Sequence, residues 1–178
     1  GQPSVVNTAT GTLRASGGAT LSLGNLVLTS EGGLFDAKVG SSIQFGGSVT
    51  MKDNTRYTGA GSNVAVGSAR FVGSQKSDNL VLAGGTLTGG DGTPGSVANL
   101  RGTTSWTGGD LAGAWQVDSG QTLKAAAGGG KRMNGASFVN AGTLRWDMPE
   151  PLQMFNGASL VNDGVVLMQA DATLSWLA

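Results

Sequence analysis

Residues 134–146, NGASFVNAGTLRW, and residues 156–168, NGASLVNDGVVLM, are identical at seven of 13 positions and start 22 residues apart. The same interval extends upstream, where Val117-Asp-Ser-Gly120, Val139-Asn-Ala-Gly142 and Val161-Asn-Asp-Gly164 recur at 22 and 22 residues. In the first half Gly18-Ala-Thr-Leu-Ser-Leu-Gly24, Gly40-Ser-Ser-Ile-Gln-Phe-Gly46 and Gly61-Ser-Asn-Val-Ala-Val-Gly67 share one template at spacings of 22 and 21. A second alternating stretch follows each copy (Leu26/Leu28, Val49/Met51, Ala69/Phe71), so every period holds at least two strands. A unit this short cannot bury an apolar face alone and must stack on copies of itself.

Stacking in register places each strand beside its equivalent one rung away, at ~4.8 Å. The fold class expected is all-β: a single-stranded parallel β-helix, or β-solenoid, of about eight rungs of ~22 residues and about 38 Å rise. Alternation sends Leu21, Leu23, Ile43, Phe45, Val64 and Val66 inward, and Ser22, Gln44 and Ala65 outward. Leu144/Trp146 and Val166/Met168 form a second column, with Val165 and Leu167 outside. Asp118, Asn140 and Asn162 fall one coil apart, a spacing that suits side-chain hydrogen bonds at a turn. The chain 1–178 reads as one solenoid, regular over 11–73 and 114–177 and irregular over 74–113, where the intervals shorten to roughly 16 to 20 residues. Gly1 and the stop at Trp176-Leu177-Ala178 read as the limits of a piece of a longer repeat protein.

Composition agrees. Glycine is 32 of 178 residues, and much of it bounds the strands, as corner residues do. Two Glu and five Lys against 15 Val, 18 Leu, 17 Thr and 17 Ser disfavour helix. There is no cysteine and no histidine, which removes disulfides, thiol catalysis, His-based triads and most zinc sites. Eleven basic residues balance eleven acidic ones, so no nucleic-acid partner is expected. No apolar run approaches ~18 residues, so membrane insertion is not expected either.

The G-x-L-x-x-x-G runs, the GTLRW and GTTSW endings, and the segments FVNAGTLRW and SLVNDGVVL resemble the β-helical repeats of large bacterial secreted adhesins, filamentous haemagglutinin-like proteins and autotransporter passengers. The resemblance covers most of residues 11–177 and marks an architecture more than an activity. It implies a right-handed parallel β-helix at the bacterial surface or in the extracellular medium, serving as a shaft or adhesive surface. Its implied partners are neighbouring rungs of the parent protein and glycans or host cell-surface receptors. No Arg-Gly-Asp motif is present, since Thr103 follows Arg101-Gly102.

Against that structural or adhesive reading stands a carbohydrate-active enzyme on the same fold, a polysaccharide lyase or glycoside hydrolase. Basic residues of β-helical lyases abstract the proton beside an acidic sugar's carboxylate, which draws notice to Lys131, Arg132 and Arg145. Trp106 and Trp146 end the GT-x-x-W template and belong in the core, whereas Trp115 lies off the template and is the candidate surface ring for stacking on a sugar. These four, Trp115, Lys131, Arg132 and Arg145, are the candidate ligand contacts. Asp147 and Glu150 could serve a glycosidase only at ~5 or ~6.5–9.5 Å separation, and the prolines around them read more simply as a loop. Gly128-Gly-Gly130 before Lys131-Arg132 fails the phosphate-loop pattern. The aspartates are dispersed and Gly89-Gly-Asp-Gly92 is too short for a calcium roll, so no metal and no cofactor are expected. Thr8/Thr10 and Thr86/Thr88 are too few for an ice-binding array.

Overall fold

Short alternating stretches punctuated by glycine leave room only for strands and corners. The computed structural model describes residues 1–176, which form strands and, among the described residues, no helix. Three strands make a rung: Ser4–Thr8, Thr12–Ala15 and Thr20–Leu23 in the first, then Val27–Glu31, Leu34–Ala37 and Ser42–Phe45 in the second. Each strand pairs in parallel with its equivalent one rung on, Val5 with Leu28, Leu13 with Phe35 and Leu21 with Ile43. Further along, Gly73–Leu82, Ala98–Trp106, Gly109–Val117 and Lys131–Asn140 run round a corner and serve two faces each. The result is an eight-rung, three-sided parallel β-solenoid, with Leu174–Trp176 opening a ninth rung against Leu152–Met154. The faces are numbered here in the order the chain meets them.

Apolar residues on the inner side of all three faces merge into one core. On the third face Trp106, Ala125 and Trp146 occupy successive rungs of one column. The small alanine lets the two indoles meet edge to face at 6.1 Å. Phe35, Phe45 and Tyr57 pack together nearer the start, with Phe35 stacked on Tyr57 at 5.6 Å. Leu144 pairs with Val166 and Trp146 with Met168, the column expected from the repeat. Met168, Leu174 and Trp176 lie exposed at the last of the described rungs.

Three expectations about register need correction. Val64 and Val66 point outward, while Asn63 and Ala65 are fully buried, because Ser62 pairs with Ser42, twenty residues back. The corner from Thr58 to Ser62 is two residues shorter than the corner from Asp36 to Ser42 above it, so the ladder interval is 20 where the glycine template spaces 21. That one-residue difference exchanges the faces the template assigns to the strand. The inward Asn63 carboxamide donates to Asn79 Oδ1 (2.7 Å) and, at 3.4 Å, to the Phe35 and Thr58 carbonyls. Asn140 does stack on Asn162, but its partner in the preceding rung is Val117, not Asp118. An extra residue near Gly135 shifts the ladder by one, and Asp118 turns outward. Over 74–113 the intervals lengthen as well as shorten: Asn63 pairs with Leu80 seventeen residues on, and Leu80 with Thr104 twenty-four on. The loop 90–97 at the corner of the fifth rung accounts for the longer one.

The corner joining the third face to the next rung's first face is glycine through most of its length: Gly24, Gly46-Gly47, Gly67, Gly84-Gly85, Gly108-Gly109 and Gly128-Gly-Gly130. Backbone lies directly on backbone there. A Cβ at Gly47 would come 2.5 Å from the Gly24 carbonyl oxygen, and one at Gly85 would come 2.4 Å from the Gly67 carbonyl carbon. The three glycines at 128–130 are therefore the continuation of this spine, Gly109 donating its N–H to the Gly130 carbonyl (3.1 Å).

Two stability outcomes follow. Gly120 has φ +75° and open space around its missing side chain, whereas Gly85 has φ +71° and no space. Gly120→Ala should cost about 1–2 kcal/mol from backbone conformation alone, and Gly85→Ala about 1–3 kcal/mol more from the forced separation of rungs. Denaturant midpoints followed by circular dichroism check the difference. Thr104 sits inward between Leu80 and Leu123 with its hydroxyl unpartnered. Thr104→Val should therefore raise stability by about 1 kcal/mol in the same measurement.

Candidate functional site

Strand alternation decides where each candidate ligand contact lies, and it separates all four. Trp115 pairs with Ala98 and Phe138 at inward positions of the second face. It is 1 % exposed, tilted against Phe71 at 5.5 Å, and donates its indole N–H to the Ala112 carbonyl at 2.8 Å. The expectation of a surface ring is thus corrected: its face is covered by the core. On its own strand Trp115 keeps the inward parity of Leu111 and Val117; it stands apart in the sequence because it lies outside the GT-x-x-W template.

Lys131 is also buried, at 3 % exposure. It alternates with Met133 on the inner side of the first face, under the glycine spine. Its ammonium donates to the carbonyls of Thr107 (3.3 Å) and Gly129 (3.2 Å), which glycine and tight corner packing leave accessible from within. Burial pulls its pKa below the usual lysine value, against a smaller opposite pull from the Glu150 carboxylate. Trp106 and Trp146 serve their corners similarly, donating to the carbonyls of Gly108 (3.1 Å) and Glu150 (2.8 Å). Lys131 is thus placed to satisfy corner carbonyls, while its neighbour Arg132 points outward.

Outward charges follow a simple rule, with the cation of one rung and the carboxylate of an adjacent rung paired along the axis. Arg132 Nε meets Asp110 Oδ1 at 2.5 Å, and Arg14 Nε meets Asp36 Oδ2 at 2.7 Å. Arg101 Nε meets Asp118 Oδ2 at 2.6 Å. Arg145 and Lys124 are in-register neighbours on the third face, and Asp147 neutralises both, at 2.6 and 3.3 Å. Arg145 and Lys124 in turn hold the Asp147 carboxyl below the usual carboxylate range. Lys38 and Arg14 hold Asp36 down likewise, against its burial.

One column breaks the rule. On the second face Arg56, Lys76 and Arg101 are outward and stacked in register over three consecutive rungs. They line a cleft of about 420 Å³ with Thr58, Asp78 and Gly102. Gly102 keeps its floor low: it has φ +88°, and a Cβ there would come 2.0 Å from the Ser77 carbonyl oxygen. The ladder is irregular between Ser77 and Leu80, which sets Asp78 out at the cleft's edge. Among the described residues neither Arg56 nor Lys76 has a carboxylate within 4 Å, and Asp78 makes no ion pair. Among the described residues the Arg56 guanidinium has one acceptor, the Ala9 carbonyl at 3.3 Å. Sequence reasoning missed this column because its members are 20 and 25 residues apart, outside the 22-residue period.

A second concavity, about 360 Å³ on the first face, is lined mainly by hydroxyls of Ser48, Thr50, Ser68, Thr86 and Thr88 around Arg70. Its guanidinium is already engaged with the Gly90 carbonyl at 3.1 Å. Among the described residues no three carboxylates converge to hold a metal ion.

The buried lysine gives a pH signature. Between its lowered folded-state pKa and the ordinary value of 10.5, the unfolded chain binds more protons, so Lys131 makes stability rise with pH across that window. Tyr57 acts oppositely from about pH 10 upward, because burial raises its phenol pKa and the folded state keeps the proton. In a Tyr57→Phe background, the rise on approaching pH 10.5 should be present with Lys131 and absent in Lys131→Met, as read from denaturant midpoints at each pH. No family model, no curated protein and no solved structure matches this chain.

Proposed function

We propose that this solenoid is a non-catalytic structural and adhesive module of a bacterial secreted or surface protein, a stiff spacer whose outer faces carry the contacts. The observation that carries the reading is the division of labour between the two sides of each strand. Inward positions are mostly apolar and merge into one core, with buried polar side chains such as Asn63, Lys131 and Asn140 donating to backbone carbonyls, while outward residues change chemistry from rung to rung. Such a frame tolerates surface variation without refolding, as repeat architectures do. The likeness of its repeats to β-helical adhesins supports the same reading and an extracellular setting. Neighbouring rungs of a longer protein would stack on the uncovered strand edges and the apolar side chains beside them, Met168, Leu174 and Trp176.

The test is to incubate the purified chain with acidic and neutral polysaccharides. Retention on a polysaccharide-coated surface, with no release of unsaturated or reducing ends, is the expected outcome. Release of such ends would overturn the non-catalytic reading in favour of a lyase or hydrolase, and failure to adhere to any of the polymers would overturn the adhesive one. Small-angle scattering should return a short rod whose eight rungs rise about 38 Å at the sheet spacing.

A further inference from the structure

We propose that the Arg56–Lys76–Arg101 column binds an acidic polysaccharide lying along the solenoid axis, one bearing a carboxylate on each sugar. The inference rests on the adhesive reading above and names its ligand class. Like charges directly opposite one another in neighbouring strands are destabilising, and elsewhere this chain relieves them. Lys124 over Arg145 is the comparison: the same in-register pair of cations on the next face, with Asp147 inserted between them. Arg14 over Asp36 and Asp110 over Arg132 alternate in sign from the outset. Only the second-face column stacks three cations in a row, with Arg56 and Lys76 left without a carboxylate among the described residues.

What the column lacks defines its ligand. Where a rung supplies the partner, it is a carboxylate about one rung from the cation, at 2.5–2.7 Å from an arginine Nε. A polyuronate threaded along the cleft would bring carboxylates repeatedly past Arg56 and Lys76, and the arginine fork suits a carboxylate's two oxygens. The low floor at Gly102 lets a sugar ring approach the backbone, and the Thr58 hydroxyl stands beside it as a hydrogen-bond partner. The cleft runs across three rungs, so a polymer is favoured over a single small anion.

The experiment uses the whole chain and immobilised polygalacturonate, with a neutral glucan, a sulfated polysaccharide and single-stranded DNA as further arms. Expected are binding to polygalacturonate that weakens with salt and a loss of about tenfold in affinity for each of Arg56→Gln and Lys76→Gln. Asp78→Asn should bind more tightly. Lys124→Gln, which removes a paired cation on another face, should leave binding unchanged. Lys76→Gln should also melt no lower than the parent, since it relieves a like-charge contact, so lost binding cannot be ascribed to unfolding. Polygalacturonate binding that survives the double Arg56→Gln/Lys76→Gln substitution overturns the assignment. Equal binding to the neutral glucan overturns it too, and preference for the sulfated polymer or for DNA replaces carboxylate chemistry by another polyanion. In these outcomes the module still adheres and the adhesive reading stands. Binding to none of the polymers overturns both.

Discussion

Everything in this solenoid depends on one corner where successive turns of the chain touch through their backbones. Parallel strands set a fixed rise of ~4.8 Å per rung, and at the corner between third and first faces there is no sheet pairing to take up extra bulk. A side chain at Gly47 or Gly85 would need room that the Gly24 or Gly67 backbone already fills. The glycine spine therefore permits the close backbone stacking of the corners from Gly24 to Gly130, whereas the last two corners, 147–151 and 169–173, carry no glycine. It also explains why the carbonyls of Thr107, Gly108 and Gly129 face inward-reaching donors: with no side chains to shield them, Trp106 and Lys131 satisfy these groups from the core side. An unpaired buried carbonyl is costly, so a lysine in the core becomes intelligible once it is seen as a lid on the corner's acceptors.

The other two corners solve the same problem with polar side chains turned inward. Between first and second faces, Thr55 Oγ1 donates to the Lys52 carbonyl at 2.8 Å and lies in hydrogen-bond contact with Ser30 Oγ at 3.0 Å. The Gln75 amide reaches the Val72 carbonyl at 2.9 Å while its oxygen accepts from the Tyr57 hydroxyl at 3.0 Å. Between second and third faces Asn79 caps the carbonyls of Thr58, Gly59 and Gly61, and Asn140 donates to Asn162. Core volume is then balanced column by column. Ala125 between Trp106 and Trp146 is the clearest case, since its small side chain leaves the space in which the two indoles meet.

The repeat period, the parallel stacking and the inward poses of Leu21, Leu23, Ile43 and Phe45 were legible because the first two rungs have nearly equal corner lengths. Legibility failed wherever the ladder interval departed from the spacing of the sequence template. Val64 and Ala65 exchanged the faces expected of them because the ladder interval is 20 where the glycines are spaced by 21, and Asp118 lost its equivalence to Asn140 through a bulge at Gly135. A period-two pattern carries no memory of such slips, so residue parity must be counted anew after every corner. Trp115 misled because it stands outside the GT-x-x-W template, and Lys131 because residue type suggests exposure while its parity with Met133 fixes burial. The Arg56–Lys76–Arg101 column was invisible as a motif. Its members stand in line only after a short rung and a long rung have each moved the register.

That irregularity bears on function directly. In the regular rungs axial pairing makes the outer faces electrically quiet: Asp110 answers Arg132, Asp36 answers Arg14, and one aspartate serves both Lys124 and Arg145. Half-exposed pairs of this kind add little stability each, about 0–1 kcal/mol, but together they leave few charges free to meet a partner. The irregular rungs change this, because new corner lengths bring residues into line that the repeat keeps apart. Lys76 enters the second face at the strand where two faces share one continuous segment, Gly73–Leu82, and Arg101 enters where the next such segment begins to turn. A perfectly periodic solenoid would repeat one neutral surface along its length. Departures from the period concentrate uncompensated charge over a few rungs, above inward positions that are themselves polar at Thr55, Gln75 and Ser77.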